Sequence, residues 1–457
     1  MKEIIKKHIF ILAIIPLLIG TIGYMRVGIM FSNALYSSFA LYFTNPISDA
    51  YNIYIEIARW TAPLVTATTI LYVIKDVWSS INCRISTFNR NDSVAVYSDE
   101  NCNISVGKGT RVIYPGNKFK SYTNSCIILF SDDKKNLKFY EEHKNKLNSK
   151  NVYIGIKDID SSFLKIIDNV YFFDINMAIS RMLWKKVSLW NNDKIPVNYN
   201  IIVYGDSNLS KSIISAGLQL NLVSLNQSIN YYIITDNDLI KIRYSEVDLI
   251  NNDKLIFCQK TESNIWDIIS KANLVIITED IKPELLQTIV EKVKETPVYY
   301  YSPNETDLVS YISSDNYNLK VFGRKKEIFT DDNIRRQKLI QKAIDLNNSY
   351  VRDYKIGDSW EKLSGFLKAS NISASDFGEV LSRIKSKMTE DEMANLEHIR
   401  WCRFHFINYY KFGIPDNNKN RDDKKKIHKS LVDYNKLSSE EQDKDKKGIR
   451  ITMRLYE

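Results

Sequence analysis

The apolar positions of this chain are unevenly placed, and their period changes twice along its length. Ile9–Met25 reads IFILAIIPLLIGTIGYM with no charge in it, and Lys2, Lys6 and Lys7 precede it. At about 1.5 Å rise per residue, this run, extended to Phe31 past Arg26, reaches across a hydrocarbon core of roughly 30 Å. A second stretch, Ala58–Ile74, is weaker, with Arg59 at its start, several threonines and Pro63. Lys75, Arg84 and Arg90 follow it, so basic residues lie beyond both outer ends, and the positive-inside rule puts both termini in the cytoplasm. The expectation is a two-helix transmembrane hairpin over residues 1–85, multi-pass in the cell membrane, with the bulk of the chain cytoplasmic. A cleaved signal peptide is the rival reading, but no A-x-A-like site follows and a second apolar stretch comes soon after.

Phe31–Glu56 must then connect the spans or dip back into the bilayer. SNALYSSFALYF places Leu35, Phe39 and Phe43 on one side at helical spacing, as a short pore helix or a surface-lying helix would. Tyr36, Phe39, Asn45 and Thr66 are the candidate pore-lining residues. Thr44-Asn45-Pro46-Ile47 stands where a T-V-G-Y-G filter would follow, so a ring of potassium-selecting carbonyls has no local support. An amphipathic connector with no conduction role is the competing reading.

From about residue 92 the pattern becomes short β-branched runs alternating with amphipathic helices, the mark of βαβ units. Strands are predicted at Val94–Tyr97, Cys126–Phe130, Val152–Ile156 and Val170–Phe173, with a charged helix over Lys134–Asn148, giving a first module at 92–195. The turn Ser98-Asp99-Glu100-Asn101 after its first strand has no glycine to let a pyrophosphate approach. A second module, 198–335, opens with NIIVYGDSNLSKSIISAGLQLN: strand Ile201–Tyr204, turn at Gly205, helix Leu209–Leu220. Further strands are predicted at Leu255–Gln259, Leu274–Thr278, Val298–Tyr301 and Leu319–Phe322. Against G-x-G-x-x-G only Gly205 survives, with Ser207 and Ser210 in the other two places. Asp236 closes the strand YYIITD, where a ribose-binding carboxylate is usual, but 31 residues after Gly205 rather than about 20. Gly205, Asp206, Ser207 and Asp236 are the candidate cofactor-binding set. NAD is disfavoured, and a degenerate module used for assembly is the alternative.

Beyond Phe329 the pattern turns helical, with apolar residues three and four apart over Asp332–Arg352, Trp360–Ala369, Ser373–Lys387 and Glu390–Phe412. Composition adds exclusions. Lys+Arg 63 against Asp+Glu 54 gives a modest +9, and 44% hydrophobic content rules out a mainly disordered chain. Five cysteines (Cys83, Cys102, Cys126, Cys258, Cys402) with no C-x-x-C pair argue against a disulfide scaffold or a zinc module. No paired carboxylates, metal-spaced His/Cys cluster or G-x-S-x-G turn is evident, so no enzyme, no metal and no nucleic-acid partner is expected.

Two resemblances follow from these stretches. ALYSSFALYF and ARWTAPLVTA in the hairpin, with GLQLNLVSLNQSINYYIITD in the second module, are similar to proteins carrying TrkA-N/RCK-type regulatory domains. That likeness covers roughly residues 1–330 and implies a gating-ring-like assembly beside a membrane pore. The C-terminal part, about 340–457, resembles the RyR (ryanodine receptor repeat) domain. The carrying residues are Glu397, His398 and Trp401 of an E-H-x-x-W helix, Gly413 after it, His428, Leu431, Tyr434 and Leu437, then Glu441 and Asp445. Lys429 and Asp433 stand where that family has prolines, and Trp360, Leu363, Phe366, Ser370 and Asn371 match its upstream stretch.

The resemblance implies an all-α module binding a nucleotide-derived signal, with Asn371, Glu397, His398, Arg400, Trp401, His428, Lys429 and Tyr434 as candidate ligand residues. The bland reading makes Trp401 and Tyr434 core and His398 a buried hydrogen-bonding residue. The expected whole is a membrane-anchored α/β protein: transmembrane hairpin, two Rossmann-like modules and a C-terminal RyR-like domain. It would act as a ligand-gated membrane effector, an ion channel or membrane-perturbing pore, of the kind that serves bacterial antiphage signalling. Two spans form no conduit alone, so a homo-oligomer, a tetramer by preference, is implied. The alternatives are an RCK-type regulator of potassium transport responding to NAD(H) or ATP, and a membrane-tethered scaffold.

Overall fold

A computed structural model describes residues 2–87, 92–99, 102–191, 195–305, 307–312, 317–354, 357–416 and 419–456; Arg90, Glu100 and Asn101 of the expectations above lie outside them. The chain divides into two compact units, Met1–Arg90 and Asn91–Glu457.

The first unit holds α1 (Lys2–Arg26), α2 (Phe31–Ala40) and α3 (Ile53–Thr87). Asn52 starts α3: its Oδ1 accepts from the Ile55 N–H at 2.9 Å, while its Nδ2 donates to the Gly23 carbonyl at 2.7 Å. Glycine permits the close antiparallel approach of α1 and α3. A Cβ at Gly23 would stand 2.9 Å from the Ile55 nitrogen, and one at Gly20 would stand 3.1 Å from the Ala58 Cβ. α2 folds back along α1, with Ser38 against Gly20 and the Tyr42 hydroxyl donating to the Ala13 carbonyl. Tyr24, Ala34, Leu41, Ile55, Ala58 and Ala62 make the small core. Leu18, Phe39, Trp60, Leu64 and Leu71 are more than half exposed on the outside. Among the described residues no helix is long and apolar enough to cross a membrane. The side chains of residues 2–12, and so the start of the expected first span, lie outside the description.

The second unit opens with a parallel sheet of β1 (Ser93–Tyr97), β2 (Arg111–Ile113), β3 (Ser125–Ile128), β4 (Asn151–Ile156) and β5 (Val170–Asp174), in the order β2-β1-β3-β4-β5. β1, β3 and nearly all of β4 are buried on both faces, which is why they read as continuous apolar runs. β2 was not anticipated: it is a three-residue edge strand with one buried position. α4 (Asp133–Leu147) covers the sheet, and α5 (Ile175–Val187) leaves it.

The second sheet comprises β6 (Tyr199–Tyr204), β7 (Ile229–Ile234), β8 (Lys254–Cys258), β9 (Leu274–Ile277), β10 (Val298–Tyr301) and β11 (Leu319–Phe322). Its order is β11-β10-β9-β6-β7-β8, all parallel. The intervening helices are α6 (Asn208–Leu220), α7 (Asp238–Tyr244), α8 (Ile265–Ser270) and α9 (Pro283–Val293). In module numbering the two orders are 2-1-3-4-5 and 3-2-1-4-5-6, the two common doubly wound arrangements. The fold is therefore α/β with two Rossmann-like modules.

The modules interlock. After β11 the chain returns through α10 (Lys325–Ile328) and α11 (Asp331–Ile334), and Phe329 and Ile334 enter the first module's core. Arg335 then grips Asp92 at 2.6 and 3.1 Å. That hydrogen bonding is the largest influence on Asp92 and holds its carboxyl down to about 2.

The C-terminal part has α12 (Gln341–Tyr354), α13 (Gly365–Ile384), α14 (Glu390–Ile407) and α15 (Ser439–Arg454). The helix expected over Asp332–Arg352 is interrupted at Gln337, whose φ is 50°. The two helices expected between Trp360 and Lys387 are instead a short turn and the single α13. α14 stops at Ile407, with Tyr409 in the left-handed region at φ 67°. The chain beyond it forms three two-residue strands, β12 (Lys411–Phe412), β13 (Arg421–Asp422) and β14 (Ile427–His428), paired as β12-β14-β13. This part is therefore not all-α. Nor is it a separate bead: Phe377, Leu381 and Leu396 share one core with Ile213, Leu218 and Tyr231 of the second module.

Candidate functional site

Three places bear on function. The first is the crevice at the C-terminal ends of β6 and β9, where strand order reverses and doubly wound sheets bind their ligands. Gly205 turns there with φ 143°, and a Cβ would stand 2.2 Å from the Thr278 hydroxyl. The N-terminus of α6, which would receive a diphosphate, is already served by protein. Ser207 caps the helix, and Glu279 accepts the Asp206 N–H at 2.7 Å. Lys260 bridges Glu279 at 2.6 Å and Asp206 at 2.5 Å. Burial opposes ionisation of Asp206, but the bonds from Lys260 and Thr235 outweigh it and keep its carboxyl below the usual range. Asp236 is drawn in through its N–H, which donates to Asp206 at 2.8 Å. The structure thus brings the four sequence candidates together, yet as an ion-paired acidic cluster. A dinucleotide does not fit: its diphosphate would meet the carboxylates of Asp206 and Glu279, with Lys260 already engaged by both.

The second place is the aromatic cluster of the C-terminal part. Trp401 lies 5.7 Å from His398 and 4.8 Å from His428, ring centre to ring centre, and His398 lies 5.9 Å from Tyr434. His398 Nε2 faces the Val432 carbonyl at 2.8 Å, and its Nδ1 faces Asp445 at 3.2 Å. Burial pushes His428 down to about 4 and the neighbouring His405 down to about 3. Four of the eight candidate ligand residues therefore meet, mostly buried. The others go elsewhere. Arg400, 1% exposed, forks onto Glu397 at 2.7 and 2.8 Å and donates to Ser373 at 2.8 Å. Asn371 donates to Asn347, and Lys429 is exposed. In the first unit Tyr36, Phe39 and Asn45 are exposed, and the half-buried Thr66 bonds back to the Ala62 carbonyl.

The third place was not anticipated. A cavity of about 450 Å³ opens where the two modules and the C-terminal helices meet. One wall is the loop from Lys157 to Ile166 with the start of α5. The second is the polar face of α6 with Arg243 of α7. The third is α13 with Trp360 and the end of α14. Its loop is held by the buried Asp133 carboxylate, which accepts the N–H groups of Lys157, Asp158 and Ile159 at 2.8–3.1 Å. Asn208 reaches across from α6 to the Asp158 carbonyl at 3.3 Å. Arg181 of α5 pairs with Asp376 of α13, both about 95% buried, tying the first module to the C-terminal part beside the cavity. Asp174 caps α5 by accepting the Met177 N–H at 2.9 Å, and burial raises its carboxyl to about 7. The Arg400 network ends at this wall, because Ser373 also donates to Gln219 at 2.5 Å. No local motif marks these residues. Lys211, Ser215 and Gln219 read only as the wet face of an amphipathic helix.

No family model and no curated protein matches the chain. Solved structures do. Shikimate dehydrogenase from Mycobacterium tuberculosis is 9% identical over 61% of this chain and 99% of its own, with a TM-score of 0.29. A dipicolinate synthase component from Bacillus halodurans is 10% identical over 50% of this chain and 88% of its own, with a TM-score of 0.25. A probable 2-hydroxyacid dehydrogenase from Rhizobium etli is 8% identical over 57% and 96%, with a TM-score of 0.23. The exclusion of an enzyme drawn from the sequence is corrected on this finding, since the matched structures bear dehydrogenase and synthase names. A likeness of this degree assigns no reaction to the present chain.

Proposed function

We propose that the chain is a membrane-attached receptor whose second unit takes a small nucleotide-type ligand and whose first unit acts on the bilayer. The observation that carries the reading is the cavity lined by both modules and the C-terminal helices. A ligand there touches all three parts, so differential contacts can change how they sit together. Its volume suits a small organic molecule. Membrane attachment draws on the first unit's surface, where Leu18, Phe39, Trp60, Leu64 and Leu71 stand more than half exposed. Self-association, with a tetramer preferred, completes the proposal, since one copy supplies too few helices to enclose a passage. The setting implied by the C-terminal resemblance is antiphage signalling by a second messenger.

The test uses full-length chain reconstituted into dye-loaded liposomes. The chain should float with the liposomes and release dye when cyclic di-AMP or a cyclic oligoadenylate is added. A chain left at the bottom of the gradient, or release unaffected by every such compound, contradicts the proposal.

A further inference from the structure

Lys211 on α6, Arg243 on α7 and Lys368 on α13 all face the cavity, from three separate helices. None of the three has a carboxylate closer than 4.0 Å among the described residues. Among the described residues Lys211 makes no ion pair, and burial and then the Arg243 charge press its ammonium toward the neutral form. Arg243 meets Asp160 only at 4.0 Å, and its buried Nε–H has no acceptor. Lys368 reaches the Glu361 carbonyl at 3.5 Å and lies 5.9 Å from the Trp360 ring centre. Of the four carboxylates lining the cavity, Asp376 is held by Arg181, Asp160 and Asp174 accept backbone N–H groups, and Asp158 makes no ion pair with any of the three cations among the described residues.

Half-buried like charges with only distant counter-ions cost free energy, and an entering anion lowers that cost. The cavity is also roomy enough for a nucleotide, and the largely buried indole of Trp360 is part of its lining. The geometry points to a phosphorylated nucleoside as ligand, its phosphate between Lys211 and Arg243, its base toward Trp360, and Lys368 closing from the third wall. This rests on the receptor reading above, and it moves the ligand from the buried aromatic cluster around Trp401 to the inter-module cavity.

The experiment is calorimetric titration of the full chain in detergent with ATP and cyclic di-AMP, and with adenosine as the phosphate-free control. Lys211→Ala and Arg243→Gln should each weaken nucleotide binding about tenfold to a hundredfold, the loss of one charge-assisted contact. Adenosine should bind far more weakly than either nucleotide. Because Lys211→Ala also removes repulsion from Arg243, its ligand-free melting temperature should hold or rise. Nucleotide binding unchanged in both variants overturns the site while leaving the receptor reading in place. A melting temperature several degrees lower in Lys211→Ala marks that side chain as structural and also overturns the site. No binding of either nucleotide by the wild type overturns the ligand class, and the liposome assay then judges the receptor reading separately.

Discussion

Arg403→Leu should destabilise the second unit more than any surface change. Arg403 is fully buried on α14. It donates to the Leu249 carbonyl at 3.0 Å, the Leu218 carbonyl at 2.8 Å, Asn251 at 2.7 Å and Asp253 at 2.8 Å. Breaking a buried pair costs about 3–5 kcal/mol, mostly by stranding the remaining charge. Asp253 keeps the Ile229 N–H at 2.7 Å and the Gln227 amide at 2.8 Å, which lowers its share. Two buried carbonyls lose their donor, at about 1–3 kcal/mol each when left bare. With about 2 kcal/mol for the partly compensated pair and about 1 kcal/mol for each carbonyl, the net loss is about 4 kcal/mol. With an unfolding entropy of about 2.1 cal/mol/K per residue over roughly 370 residues, the melting temperature falls by about 5 °C. Circular dichroism of the full chain in detergent reads this directly. Limited proteolysis should also show the C-terminal helices released first. A shift under about 1 °C would refute the view that α14 is clamped to the second module.

Other expectations follow from the same packing. A Cβ at Gly217 would stand 2.6 Å from the Trp184 ring, so Gly217→Ala should cost about 1–3 kcal/mol by overpacking, seen as a lower urea midpoint. His405 and His428 have depressed folded-state pKa values, so their contribution is present above the unfolded value of about 6.5. It is lost as pH falls through about 4 and then about 3, and fluorescence-monitored unfolding should show declining stability over that window. Asp174 acts oppositely: its carboxyl is raised to about 7, so the stability tied to its neutral form is full below the unfolded value of about 4 and lost as pH rises to about 7, and Asp174→Asn should flatten that fall. Arg181→Met should weaken nucleotide binding by loosening α13 beside the cavity, while the double variant with Asp376→Leu, which strands no charge, should melt higher than Arg181→Met alone.

Much of the α/β part was legible because parallel strands buried on both faces read as bare apolar runs. Val298–Tyr301 and Leu319–Phe322 match the structure to the residue. β2 escaped because an edge strand of three residues with one buried position has no periodicity to detect. The break at Gln337 escaped because nothing in its residue type demands a positive φ. The acidic character of the β6/β9 crevice was half legible. The serines at 207 and 210 were visible beside Gly205, but Glu279 and Lys260 arrive from other strands. The inter-module cavity was illegible altogether. Lys211, Arg243 and Lys368 lie far apart in sequence, and only the tertiary packing of α13 onto α6 and of the first module's loop against both brings them to one cavity.

Ligand reception by the inter-module cavity is the central claim, and photolabelling tests it most directly. Full-length chain in lipid nanodiscs is irradiated with 8-azido-ATP, with and without excess ATP, and the labelled peptides are mapped. Competable label should be confined to the loop after β4, the face of α6 around Lys211, and the Trp360–α13 segment. Competable label on the Trp401, His428 and Tyr434 peptides instead, or at the Gly205 turn, would contradict the claim.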